Sequence, residues 1–114
     1  MLDTEHLYGD SQDLSAGALA WSVSPGAPRR VVAVLLHAST TITETVKVTI
    51  DSVAGANYDT LIRSVGLSAE QDFAWFPEGD VILAQDDILK VECTQANTTG
   101  VVYPTVIFER ISGK

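Results

Sequence analysis

Cysteine occurs once and histidine twice in the 114 residues. A lone Cys93 excludes an intrachain disulfide, and two histidines with one thiol cannot assemble a tight transition-metal site. The same scarcity removes the usual activating base. A Ser–His–Asp or Cys–His arrangement needs an imidazole held in place, and the chain offers only His6 and His37. GxSxG elbows, phosphate-cradling glycine loops and EF-hand spacing are missing. No apolar stretch approaches the ~20 residues of a membrane span, so no membrane partner is expected. Positive charge is scarce: seven Lys and Arg against fifteen Asp and Glu leave a net charge of −8. Such a surface repels polyphosphate, so no direct nucleic-acid partner is expected either. The first residues, Met1-Leu-Asp-Thr-Glu-His, are acidic and polar, unlike a cleaved secretory signal, and use without such a signal is expected. No catalytic residue, cofactor site or metal site is nominated, and the chain is expected not to be an enzyme.

What is present favours strands. The length fits one domain, and 46% hydrophobic content supports a packed core. Charged residues make up only 19%, while Thr, Val, Ala and Ser are plentiful, a bias toward β-structure. Residues 1–16 carry four acidic residues and no basic one; residues 69–93 carry seven acidic residues against Lys90.

Residues 1–16 lack sustained periodicity and read as an N-terminal extended arm. Either it is a frayed terminus, or its Leu7, Tyr8 and Leu14 dock on a partner. From Gly17 onward, strand candidates alternate with turn chemistry. Ala18–Val23 contains Trp21 and is stopped by Ser24-Pro-Gly-Ala-Pro28. Within Arg29–Ser39, residues 31–36 are apolar at every position, which suits a strand covered on both faces. Ile42–Val53 is expected as one strand, since Val46, Val48 and Ile50 alternate with polar residues. Tyr58–Leu67, Phe73–Phe76, Val81–Leu83, Ile88–Gln95 and Val101–Ile111 follow, with residues 96–100 expected as a hairpin loop and 112–114 as a tail. In the last strand Ile107 lies between Val106 and Phe108, so both faces are expected to meet apolar surroundings. About eight strands without an amphipathic helix predict an all-β fold: an antiparallel two-sheet sandwich, jelly-roll-like, over 17–114.

Three features bear on binding. His37 reads as a core-edge or hydrogen-bonded histidine. Glu78, Asp80 and the Asp86-Asp87 pair could offer oxygen ligands, but about 15 Å of strand separates the two loops and no shared site is expected. Trp21, Trp75 and Phe76 are candidate exposed aromatic contacts; Trp75 and Phe76 are sequential, so in a strand one faces the core and the other outward. An exposed aromatic beside polar groups would suit a carbohydrate- or receptor-binding module.

The order Phe73-Ala-Trp-Phe-Pro77, Val81-Ile-Leu83, Gln85-Asp-Asp-Ile-Leu-Lys-Val91, Ala96-Asn-Thr-Thr-Gly100 and Tyr103 resembles small virion proteins of tailed bacteriophages. In these an aromatic-Pro turn precedes a Leu-x-x-(Gly/Asp)-Asp-x-Ile-x-Val strand and an Asn-x-x-Gly hairpin. It covers about a third of the chain, and Asp86 stands where the pattern commonly has Gly. The resemblance implies a β-sandwich virion component, such as a capsid decoration (cement) protein or head-fibre base. Its implied partners are the major capsid protein or other virion proteins. It also implies a homo-oligomer, often a trimer, made in the host cytoplasm and carried in the virion.

Overall fold

The computed structural model describes residues 4–97 and 99–111; Thr98, the start of the expected arm and the tail at 112–114 lie outside them. Ten strands are present: β1 (Thr4–Tyr8), β2 (Gln12–Asp13), β3 (Leu19–Val23), β4 (Arg29–Ile42), β5 (Thr45–Asp51), β6 (Thr60–Gly66), β7 (Glu70–Trp75), β8 (Ile82–Leu83), β9 (Ile88–Cys93) and β10 (Val101–Arg110). Among the described residues a single 3₁₀ turn, Ala56–Tyr58, interrupts them. β2 and β8 are two residues each, which leaves eight strands of five residues or more.

These eight form two antiparallel sheets. One runs β1-β10-β4-β7, with β2 beside β10 and β8 beside β4; the other runs β3-β9-β5-β6. The long strands pair first with last, second with seventh, third with sixth and fourth with fifth. That is one long antiparallel hairpin wrapped so that successive rungs fall in alternate sheets. The chain is an all-β two-sheet sandwich of jelly-roll-like order.

Alternation decides which side of each strand is dry. Val106 and Phe108 of β10, with Val34 and Leu36 of β4, are almost fully buried. They face Val46 and Val48 of β5 and Leu89 and Val91 of β9 across the sandwich. Two inner faces meeting about 10 Å apart make one core. The Phe108 ring is its largest fully buried side chain.

Four expectations are corrected. Ile42–Val53 is not one strand. Ile42 ends β4 in the first sheet, and Thr43-Glu44 carries the chain across to β5 in the second. The hairpin expected at 96–100 is not formed, since β9 and β10 belong to different sheets. The described residues there lie at a corner, with Gly100 at φ +89° and too close to Thr40 and Ile42 to accept a side chain freely. The aromatic strand starts earlier, at Glu70. Finally, the described part of the expected arm, residues 4–16, is not an element apart from the domain expected at 17–114. β1 is extended, but it is an edge strand of its own sheet, in register with Thr105–Glu109 of β10. The period of two was hidden there because β1 is short and its inward side offers only Leu7 and Glu5.

Candidate interaction surface

In an antiparallel pair, residues directly opposite share a face, so the registers give the outward face of the β1-β10-β4-β7 sheet row by row. Tyr103, His37 and Asp72 form one row across β10, β4 and β7. Tyr8, Thr105, Leu35 and Ala74 form the next, across all four strands. His6, Ile107 and Ala33 make a third. Thr4, Glu109, Arg30 and Ile82 make a fourth. A bulge leaves Val32 without a partner between Val31 and Ala33; it lets Val31 and Val34 both face the core although three residues apart.

Leu35 and Ile107 are half-buried and Ala33 is fully buried, although no second layer lies outside this sheet among the described residues. Around them stand Tyr8 at 75% exposure, Tyr103 at 48% and Ile82 at 49%. The rings of His6 and Tyr8 stack at 6.3 Å, and those of His37 and Tyr103 at 6.5 Å. Two acidic groups on the face make side-chain contacts within it. Asp72 meets His37 Nδ1 at 2.6 Å, and Glu109 accepts a hydrogen bond from Arg30 Nε at 2.7 Å. The face therefore carries apolar and aromatic surface around one ion pair, Arg30–Glu109, and one hydrogen-bonded pair, His37–Asp72.

The other outward face is different in kind. Its rows read Ser22, Lys90, Thr49, Leu61 and Ala20, Glu92, Lys47, Ser64. Among the described residues its large apolar side chains are Leu61 and the half-buried Ile88, which lies opposite Asp51. Such a face is well solvated as it stands.

The sequence-nominated residues scatter over this framework. Leu14 is fully buried and its N–H donates to the Gly100 carbonyl, so it fills its own core and cannot reach a partner. Leu7 is half-buried and packs on the same core. Tyr8 alone of the three points outward. Trp21 is half-buried against the core, closely covered by Gly9, which corrects its reading as an exposed contact. Trp75 packs inward while Phe76 stands 62% exposed. A shallow cleft of about 570 Å³ lies beside them, lined by Arg63, Trp75, Phe76, Pro77, Glu78 and Val81.

Sequence reasoning did not bring His37, Asp72 and Tyr103 together, because only the register of β10 on β4 on β7 does so. The signal that existed was the doubly apolar character of residues 31–36 and of Ile107.

Several polar groups turn out to hold the frame. The Glu44 carboxylate, 4% exposed, accepts hydrogen bonds from Thr94 Oγ1 and from the backbone N–H groups of Ala96 and Asn97, each at 2.7 Å. Burial alone would raise its pKa, but these donors together hold it below the ordinary carboxylate value. Asp87 is buried and accepts from the N–H groups of Val53 and Ala84, so it braces the acidic corner. Asp86 beside it has φ +72°, the left-handed region in which Gly or Asp is tolerated. Glu5 of β1 takes hydrogen bonds from Arg29 of β4 and Arg110 of β10, and the Arg29 hydrogen bond is the main cause lowering its pKa. Burial pushes the Cys93 thiol up to about 11, with Glu44 adding to the rise, so it stays protonated at neutral pH. Among the described residues no three His, Cys, Asp or Glu side chains gather as a metal site, and no helix is long and apolar enough to cross a membrane.

No protein-family model matches the chain, and no curated protein matches it. Among solved structures it is similar to a crystal structure of the Drosophila NLP core, described as giving insight into pentamer formation and histone binding. The two are 17% identical over 94% of this chain and 98% of that one, with a TM-score of 0.45. A likeness that distant assigns neither partner nor assembly to this chain.

Proposed function

We propose that the chain is a non-enzymatic structural protein of a phage virion, a decoration or cement protein that binds the capsid as an oligomer, a trimer by the resemblance. The observation that carries the reading is the contrast between the two outward faces. One is largely polar; the other presents Tyr8, Tyr103, Leu35 and Ile107 around the Arg30–Glu109 ion pair. A rigid sandwich with one such face is a scaffold for protein contact. The aromatic-Pro turn and the Asp86-Asp87 corner add the family resemblance, and the φ of Asp86 suits a position where that pattern commonly has Gly. The chain would be made in the host cytoplasm and carried in the virion, with the major capsid protein or other virion proteins as partners. Mixing the purified protein with undecorated phage heads and sedimenting them tests this. The protein is expected in the pellet at a saturable ratio, and protein left wholly in the supernatant counts against it.

A second reading has its own observation. The cleft beside Phe76 combines aromatic surface with Arg63 and Glu78, the mixture that stacks on and hydrogen-bonds to a sugar ring. It makes the chain a carbohydrate- or receptor-binding module. A glycan array giving a hit that Phe76→Ala abolishes supports it; a blank array removes it.

A further inference from the structure

We propose that acid frees β1 and β2 from the sandwich before the rest of the fold gives way, because three carboxylates serve as the catches on residues 4–17. This holds whatever the protein binds. Little else fastens the segment. Leu14 is the one fully buried residue among residues 4–17, and Leu7 is half-buried. β1 has a single neighbour, β10, and β2 is only two residues long. A segment that buries so little apolar surface opens locally at low cost.

Glu5 on β1 accepts hydrogen bonds from Arg29 Nε at 2.7 Å and Arg110 Nη2 at 3.4 Å, the charged groups that meet it from β4 and β10. Arg29 and Arg110 lie directly opposite each other in register, so a protonated Glu5 leaves two cations facing across the strands. Asp13, at the end of β2, accepts from the Ser15 N–H at 2.9 Å and the Ser15 hydroxyl at 2.7 Å. Its register partner Val101 brings no charge. Glu44 acts at one remove. It holds Thr94, Ala96 and Asn97, and the same corner holds Leu14 by both backbone groups. Gln95 Nε2 donates to the Leu14 carbonyl at 3.1 Å, and the Leu14 N–H donates to the Gly100 carbonyl at 2.9 Å. The titratable group beside Glu44 is the Cys93 thiol, which stays protonated throughout the acid range.

All three carboxyls titrate below their ordinary values. Glu5 does so chiefly through Arg29, and Asp13 chiefly through Ser15. Glu44 does so against the burial that would raise it, through Thr94, Asn97 and Ala96. Their stabilisation is present above the ordinary values, 4.5 for Glu and 3.8 for Asp, and is lost as pH falls through the lower folded ones. The segment therefore loses its three catches in one acid window, and its departure leaves β10 as the sheet edge.

Hydrogen exchange read by mass spectrometry, with rates at each pH divided by those of the free chain, tests this directly. Protection of residues 4–14 is expected to fall roughly tenfold or more between about pH 6 and pH 3.5, while β5 and β9 keep theirs. Glu5→Gln should lower the protection of β1 already at about pH 6 and flatten its pH dependence. Glu92→Gln, opposite Lys47 on the polar face, should change neither. Residues 4–14 that stay protected in acid, or that lose protection together with β5 and β9, overturn the proposal. So does a Glu5→Gln variant whose β1 responds to acid as the wild type does.

Discussion

Glu44 shows how much of this fold depends on single polar groups at sheet corners. Its two oxygens accept three hydrogen bonds from the 94–97 segment, tying the β4–β5 crossing to the β9–β10 crossing. Glu44→Gln removes a charged acceptor and leaves N–H groups poorly matched, so a loss of about 1–3 kcal/mol is expected in urea unfolding. Because the folded carboxyl titrates below the ordinary value of 4.5, its stabilisation is present above that value. It is lost as pH falls through the lower folded value. The variant should therefore lose less stability than the wild type on acidification below about pH 4.5. Ala69 offers the opposite case. It holds φ +54° between β6 and β7, a conformation costly for any residue with a Cβ. Ala69→Gly is expected to raise stability by roughly 0.5–1 kcal/mol, after the entropy cost of glycine in the unfolded chain.

At the level of elements, β1 is the instructive strand. Edge strands invite unwanted pairing, and this one is fastened by Glu5 to Arg29 and Arg110 and by the close seating of Gly9 on Trp21 and Pro104. A Cβ at Gly9 would lie 2.7 Å from the Trp21 ring. Gly9→Ala should therefore cost about 1–3 kcal/mol, read as a lower melting temperature with faster amide exchange across β1. The alternating segments, Val46 to Ile50 and Leu89 to Cys93, were legible because each has one dry face. β1 and β2 were not, since five and two residues cannot display a period and the partner strand β10 lies about a hundred positions away. The same distance hid the corner at 96–100. Asn97 and Gly100 carry hairpin chemistry, yet they serve a crossing between sheets, a choice made by where β10 finds its neighbours. The break at Thr43-Glu44 was masked by flanking residues that all suit strands.

For the whole molecule, the sequence predicted the sandwich and its approximate strand number from alternation, composition and turn spacing. It also carried the mark of the interaction face, because residues 31–36 and Ile107 are apolar where a singly buried strand would be polar. Which aromatics join that face was not legible, since Tyr8 and Tyr103 reach it only through the registers on β10 and β4. The capsid reading can be seen most directly by cryo-electron microscopy of undecorated phage heads mixed with the purified protein. The account predicts added density on the outer capsid surface that fits an oligomer of this sandwich, trimeric by the resemblance, with the Tyr8 and Tyr103 face in protein contact. Bare heads, at protein concentrations where the chain is folded, would contradict it.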